Sequence, residues 1–179
     1  MTEESSHSFT DKDVETFRRA KELGIHRTCH AGEAGPALNV AFAVDKMCAE
    51  RIGHGYSVIK DNEIYLRCLK SSLHFETCPH SSYFTGAISP YDRNSIVQFA
   101  EDGANFSISK DDPITFGSTL DKEYQYLSEL GLNEVHIIRA VSLQLISHQL
   151  KPHLFSEHKR SEGFLFTRKR EKRTLETTL

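Results

Sequence analysis

Between residues 10 and 109, short apolar runs alternate with segments whose apolar positions recur at helical spacing. Thr10-Asp11-Lys12-Asp13 predicts a helix start, with Thr10 as N-cap and an acid three positions on. Val14, Phe17 and Leu23 then share one face, and Gly24 can end the helix. Residues 25–29 form the first strand candidate. A second helix is expected from about Pro36, with Leu38, Phe42 and Asp45 close together on the wheel and Ala41, Val44 and Cys48 flanking them. Residues 51–55 read as a second strand, 61–70 as a helix with Ile64, Cys68 and Leu69 facing in, and 73–78 as a third strand stopped by Pro79. A helix over 92–102 carries Ile96, Val97, Phe99 and Ala100 and closes at Gly103, and residues 105–109 form a fourth strand.

Strand starts recur roughly every 25–30 residues, each followed by a helix, which is the rhythm of βαβ units on a parallel sheet. The fold class is therefore α/β. Periodicity alone leaves an open doubly wound sheet and a closed barrel equally available. The 179 residues suit one domain but fall short of the roughly 250 of a complete (β/α)₈ barrel. Lys159-Arg160 and the run Arg168–Arg173 are dense in charge, so residues 157–179 are expected to form a basic, disordered tail on a body of residues 1–156.

The formal net charge of −3 argues against an overall nucleic-acid or anionic-membrane surface. No apolar run approaches the roughly 20 residues of a membrane span, and the N-terminus has no secretory pattern. Four cysteines without a CxxC pair predict free thiols and a cytoplasmic location.

Loops after the C-terminal ends of parallel strands form the active face of such folds. Here those ends deliver His30 and Glu33, then His54 between two glycines, then Cys78-Pro79-His80, then Asp111-Asp112-Pro113. Each part alone has a bland reading: a polar residue, a turn, a helix cap. Together they would place two histidines, a glutamate and two aspartates on one end of the sheet. His30 and Asp111 are a nitrogen and an oxygen donor suited to Zn²⁺, but a catalytic zinc needs at least three protein ligands. Cys78, His80 or a segment outside these 179 residues would have to supply the rest.

The ordered set His30-Ala31-Gly32-Glu33, Arg51-Ile52-Gly53-His54-Gly55-Tyr56, Cys78-Pro79 and Asp111-Asp112-Pro113 resembles the adenosine deaminase family. Ser81–Ala87 and Phe116–Asp121 resemble its animal-type cytosolic members more than the AMP deaminases. The resemblance implies the C-terminal half of a (β/α)₈ barrel with one zinc, and hydrolytic deamination of adenosine or 2′-deoxyadenosine to inosine or 2′-deoxyinosine. It implies that His30 and Asp111 are zinc ligands and that Glu33 gives a proton to purine N1. It further implies that His54 orients and deprotonates the zinc water and that Asp112 bonds purine N7. Both Glu33 and Asp112 would need to be protonated for those roles, since N1 must receive a proton and N7 is only an acceptor.

The family's HxH ligand pair has no counterpart here, and His80 stands where the animal-type loop has tryptophan. The chain is therefore expected to be part of a longer enzyme, with little turnover alone. The alternative is a catalytically inactive deaminase-like chain acting as a binding partner. The expected partner is a small purine nucleoside, with no nucleic acid and no membrane insertion. Half a barrel is also expected to expose strand edges and an apolar sheet face, which would favour self-association.

Overall fold

The computed structural model describes residues 9–89 and 91–147. The expected basic tail, 157–179, lies outside the described residues. The first helix, α1 (Asp11–Glu22), begins as the sequence predicts: Thr10 Oγ1 accepts from the Asp13 amide, and the Asp13 carboxylate accepts from the Thr10 amide at 2.8 Å. Gly24, left-handed at a φ of 69°, ends it as expected, but its neighbours on either side differ from expectation. Leu23 is the C-cap and is exposed, and the Ile25 amide bonds back to the Ala20 carbonyl at 2.9 Å. Ile25 is thus used in closing the helix, and the first strand, β1, runs later, over Thr28–Ala31.

The remaining elements follow in the expected alternation. They are α2 (Ala37–Asp45), β2 (Arg51–His54), a 3₁₀ turn (Tyr56–Lys60), α3 (Asn62–Lys70) and β3 (His74–Thr77). Then come α4 (Pro79–Phe84), α5 (Ser95–Glu101), β4 (Asn105–Ile108), α6 (Pro113–Phe116), α7 (Leu120–Glu129) and α8 (Glu134–Ser147). The buried face of α2 is Ala37, Val40 and Ala43, whereas Leu38 is 67% exposed. Small residues let this helix approach the sheet closely, and that requirement overrides the larger apolar side chains picked out by the wheel.

All four strands are parallel and lie in the order β1-β2-β3-β4. A doubly wound sheet reverses its order at a switch point. This one never reverses, so successive right-handed crossovers leave their helices on one side, as in a (β/α)₈ barrel. The chain forms four βα units of that barrel.

Strand register explains why the other side is not apolar. Cys29, Ile52, Phe75 and Phe106 are register partners and all are buried in the core. One residue away on each strand the pleat turns to the opposite face, where Thr28, Arg51, His74 and Asn105 form one row and His30, Gly53, Glu76 and Ser107 the next. These rows bond to one another. Glu76 accepts from Thr28 Oγ1 at 2.7 Å and pairs with Arg51 at 3.1 Å, and His74 lies 2.8 Å from Asn105 Oδ1 and 3.0 Å from Ser107 Oγ. The expected apolar sheet face is therefore corrected to a polar, internally bonded one. Among the described residues β1 and β4 each pair with a single strand, and α8 packs against β4.

Candidate functional site

The site grows from the strand ends on the polar face. His30 projects from the last turn of that face on β1, directly opposite Gly53. A side chain at Gly53 would place its Cβ 2.3 Å from His30 Cδ2, so only glycine leaves room for the imidazole. Gly53→Ala is expected to cost about 1–3 kcal/mol of stability through overpacking. Denaturant unfolding reads that quantity, and a variant as stable as the parent would contradict the packing argument.

Simple alternation would send the His54 side chain to the core face, two residues after Ile52. It does not go there because His54 itself has a φ of 65°, a left-handed conformation that a non-glycine residue rarely adopts. The strain re-aims the ring. His54 meets His30 edge to face with centroids 4.6 Å apart, and its Nε2 lies 3.3 Å from Glu33 Oε2 and 3.9 Å from Asp111 Oδ2. Asp111 has a φ of 60° as well. Two strained non-glycine residues facing each other is the pattern of a site in which backbone energy is stored to hold side chains in place. Gly55 continues the left-handed turn, and a Cβ there would strike Phe75 at 2.4 Å.

Behind His54, the buried Tyr56 hydroxyl lies 3.3 Å from Nδ1, accepts from the Cys78 amide at 2.9 Å and bonds closely to Ser82. Beside Asp111, Ser81 Oγ donates to Oδ2 at 2.7 Å. A cleft of about 240 Å³ is lined by His30, His54, Glu76, Cys78 and Asp111, with Gln144 of α8 at its wall. Glu33 and Tyr56 also border a larger cleft of about 600 Å³ that opens towards Lys60 and Arg93.

Four of the five sequence-selected residues thus converge: His30, Glu33, His54 and Asp111. Asp112 stands apart as the N-cap of α6. Its carboxylate accepts from Ile114 N at 2.9 Å, Thr115 N at 3.2 Å and Thr115 Oγ1 at 2.6 Å. The Thr115 hydroxyl, with the two amides, holds its pKa below the ordinary carboxylate range. Bonding a purine N7 would require it to leave this cap and take up a proton. Tyr56, Ser81, Glu76 and Gln144 were not singled out from the sequence. The alternation of His74 and Glu76 with Phe75 and Thr77 is the signal that could have found Glu76.

Burial, followed by the neighbouring His30, pushes the His54 pKa down to about 4 against the opposing pull of Asp111 and Glu76. The ordinary value is 6.5. In the metal-free chain the unfolded state therefore takes up a proton between pH 6.5 and 4 that the folded state refuses. Stability should fall as pH drops across that window, by roughly 3 kcal/mol in total. Urea midpoints at pH 7 and pH 4 check this: His54→Asn, which tolerates the left-handed backbone, should lose less than the parent. Equal losses would contradict it.

Two groups of donors have ligand atoms within 4.8 Å of one another: His30, Glu33 and His54, and His54, Cys78 and Asp111. Nitrogen, carboxylate and thiol donors at this spacing fit a zinc ion. Burial pushes the Cys78 thiol well above its ordinary range, which makes it the poorest donor of the set. All four cysteines are free thiols, and no described helix is long and apolar enough to cross a membrane.

Residues 2–148 match the adenosine deaminase family profile. The adenosine deaminase of Gallus gallus is 51% identical over 114 residues, which is 63% of this chain and 32% of that protein. Among solved structures, the adenine deaminase of Arthrobacter aurescens superposes with a TM-score of 0.62 at 29% identity, covering 65% of this chain and 36% of that one. An amidohydrolase of Burkholderia ambifaria with bound zinc superposes with a TM-score of 0.72 at 19% identity, covering 86% and 45%. The chain spans about a third of the length of the animal relative it matches. With the parallel barrel units, the polar strand ends and the matched span in agreement, this chain belongs to the adenosine deaminase family.

Proposed function

We propose that this chain supplies the C-terminal half of an active site for zinc-dependent hydrolytic deamination of adenosine and 2′-deoxyadenosine, giving inosine and 2′-deoxyinosine. The observation that carries the reading is the meeting of His30, Glu33 and Asp111 around one buried imidazole, His54. The cluster, drawn from the ends of β1, β2 and β4, brings together the imidazoles and carboxylates that activating hydroxide and protonating the ring call for.

His30 and Asp111 would hold the zinc, with further ligands supplied by sequence outside these residues. Bound there, a zinc ion would supply Lewis acidity and make water a better nucleophile near neutral pH. His54, kept neutral by burial, would take up a proton at a ring nitrogen as general base. Glu33 would give purine N1 its proton; its carboxylate, 17% exposed and 3.3 Å from His54 Nε2, supports that assignment. Asp112 would bond N7 after exchanging its cap for the substrate. The free thiols of all four cysteines support a cytoplasmic location.

The test is a chimaera in which residues 9–147 replace the matching segment of the Gallus gallus enzyme. It should bind zinc and convert adenosine to inosine, followed by the change in ultraviolet absorbance. A folded, zinc-loaded chimaera without turnover would overturn the enzyme reading in favour of a non-catalytic binding partner.

A further inference from the structure

Outside the site, Glu123 of α7 is fully buried, an expensive place for a carboxylate unless it is tied down. Its Oε2 accepts from the backbone amide of His80 at 2.9 Å, and its Oε1 accepts a close hydrogen bond from the buried Ser118 hydroxyl. The His80 ring sits over the same oxygen, with Nδ1 3.1 Å away but off the hydrogen-bonding direction. It also packs on Tyr126 of α7, with centroids 5.0 Å apart. The His80 amide bond and the His80–Tyr126 contact hold the first turn of α4 against α7, while the Ser118 bond ties the carboxylate down at the start of α7.

The next residue of α4 is Ser81, 1% exposed, whose hydroxyl donates to Asp111 Oδ2 at 2.7 Å. Asp111 sits on a left-handed backbone in the link between β4 and α6, and Ser81 reaches its carboxylate from a different element. The buried acid on α7 and the strand-end acid on β4 are therefore joined through two consecutive residues of one short helix.

We propose that Glu123 is a positioning residue for Asp111: by fixing the His80 amide it sets the depth of Ser81, and Ser81 in turn aims the Asp111 carboxylate. This rests on the reading of Asp111 as a metal ligand for its functional consequence, though the tether itself does not. A ligand whose orienting partner is lost typically binds its metal about 10–100-fold more weakly.

Two readouts test it, the first on the full 179-residue chain and the second on the zinc-binding chimaera. The first is metal-free: the backbone amide and carboxyl-carbon resonances of Asp111 should move in Glu123→Gln in the same direction as in Ser81→Ala. Asp111 resonances that stay in place in folded Glu123→Gln would overturn the inference, whatever zinc does. The second is zinc affinity by chelator competition for Glu123→Gln, Ser81→Ala and the double variant. Each single change should weaken binding about 10-fold or more, and the double should cost little beyond either one, because both act through one bond. Additive losses would overturn the tether. Should Glu123→Gln not fold, a Ser81→Ala variant that leaves Asp111 resonances unmoved overturns it equally. Zinc binding that Asp111→Ala leaves intact would instead refute the metal reading, and the metal-free resonances would still decide the tether.

Discussion

Glu33→Gln in the chimaeric enzyme should retain zinc and lower turnover by about 10²–10⁴-fold, the range typical of a lost general acid. The two side chains have nearly the same shape, so the contact with His54, 3.3 Å in the parent, can survive as a hydrogen bond. What disappears is a proton that can be given to N1, because an amide does not ionise in this range. The signature is selective: kcat falls while the metal content is unchanged. Turnover within a few-fold of the parent would remove Glu33 from the acid role and direct attention to the other cleft it borders, towards Lys60 and Arg93.

Asp111→Ala should have the opposite signature, with metal lost and turnover falling as a consequence. Zinc affinity should drop by at least about 100-fold, beyond the usual cost of losing only an outer partner. The left-handed backbone at this position, with a φ of 60°, complicates alanine, which lacks the short polar side chain that lets Asp and Asn tolerate that conformation. Asn adopts that conformation more readily and keeps the side chain's shape. Asp111→Asn therefore separates the two effects. If both variants lose zinc while only the alanine loses stability, the carboxylate itself is the ligand. If Asp111→Asn binds zinc as the parent does, the role assigned to Asp111 fails.

Much of the scaffold was legible in the sequence because it depends on local chemistry. The Thr10–Asp13 capping box, the strand stopped by Pro79 and the glycine after α5 are short-range features, and each appears as expected. Helix faces were less legible. Leu38 looked like a core residue of α2 and is exposed, because the sheet selects small side chains at 37, 40 and 43. The choice between open sheet and barrel was invisible to periodicity, and only the unreversed strand order settled it.

The polar underside of the sheet was written in the alternation of His74-Phe75-Glu76-Thr77 and Asn105-Phe106-Ser107-Ile108, but strands this short, four residues each, make such alternation easy to overlook. The site shows the same division. His30, Glu33, His54 and Asp111 could be placed at strand ends from sequence order alone. That His54 reaches them only through a left-handed backbone could not be foreseen, because neighbouring packing imposes that conformation. Ser81 and Glu123 were hidden for another reason: they act across long sequence separations, 30 and 43 residues, that no local pattern encodes.

The central claim is that His30 and Asp111 hold one cation between them. Anomalous diffraction at the zinc edge, from crystals of the zinc-loaded chimaera, tests it most directly. The account predicts a single strong peak about 2.0–2.2 Å from both an imidazole nitrogen of His30 and a carboxylate oxygen of Asp111. A peak held by Glu33, His54 or Cys78 with His30 and Asp111 both out of reach would contradict it.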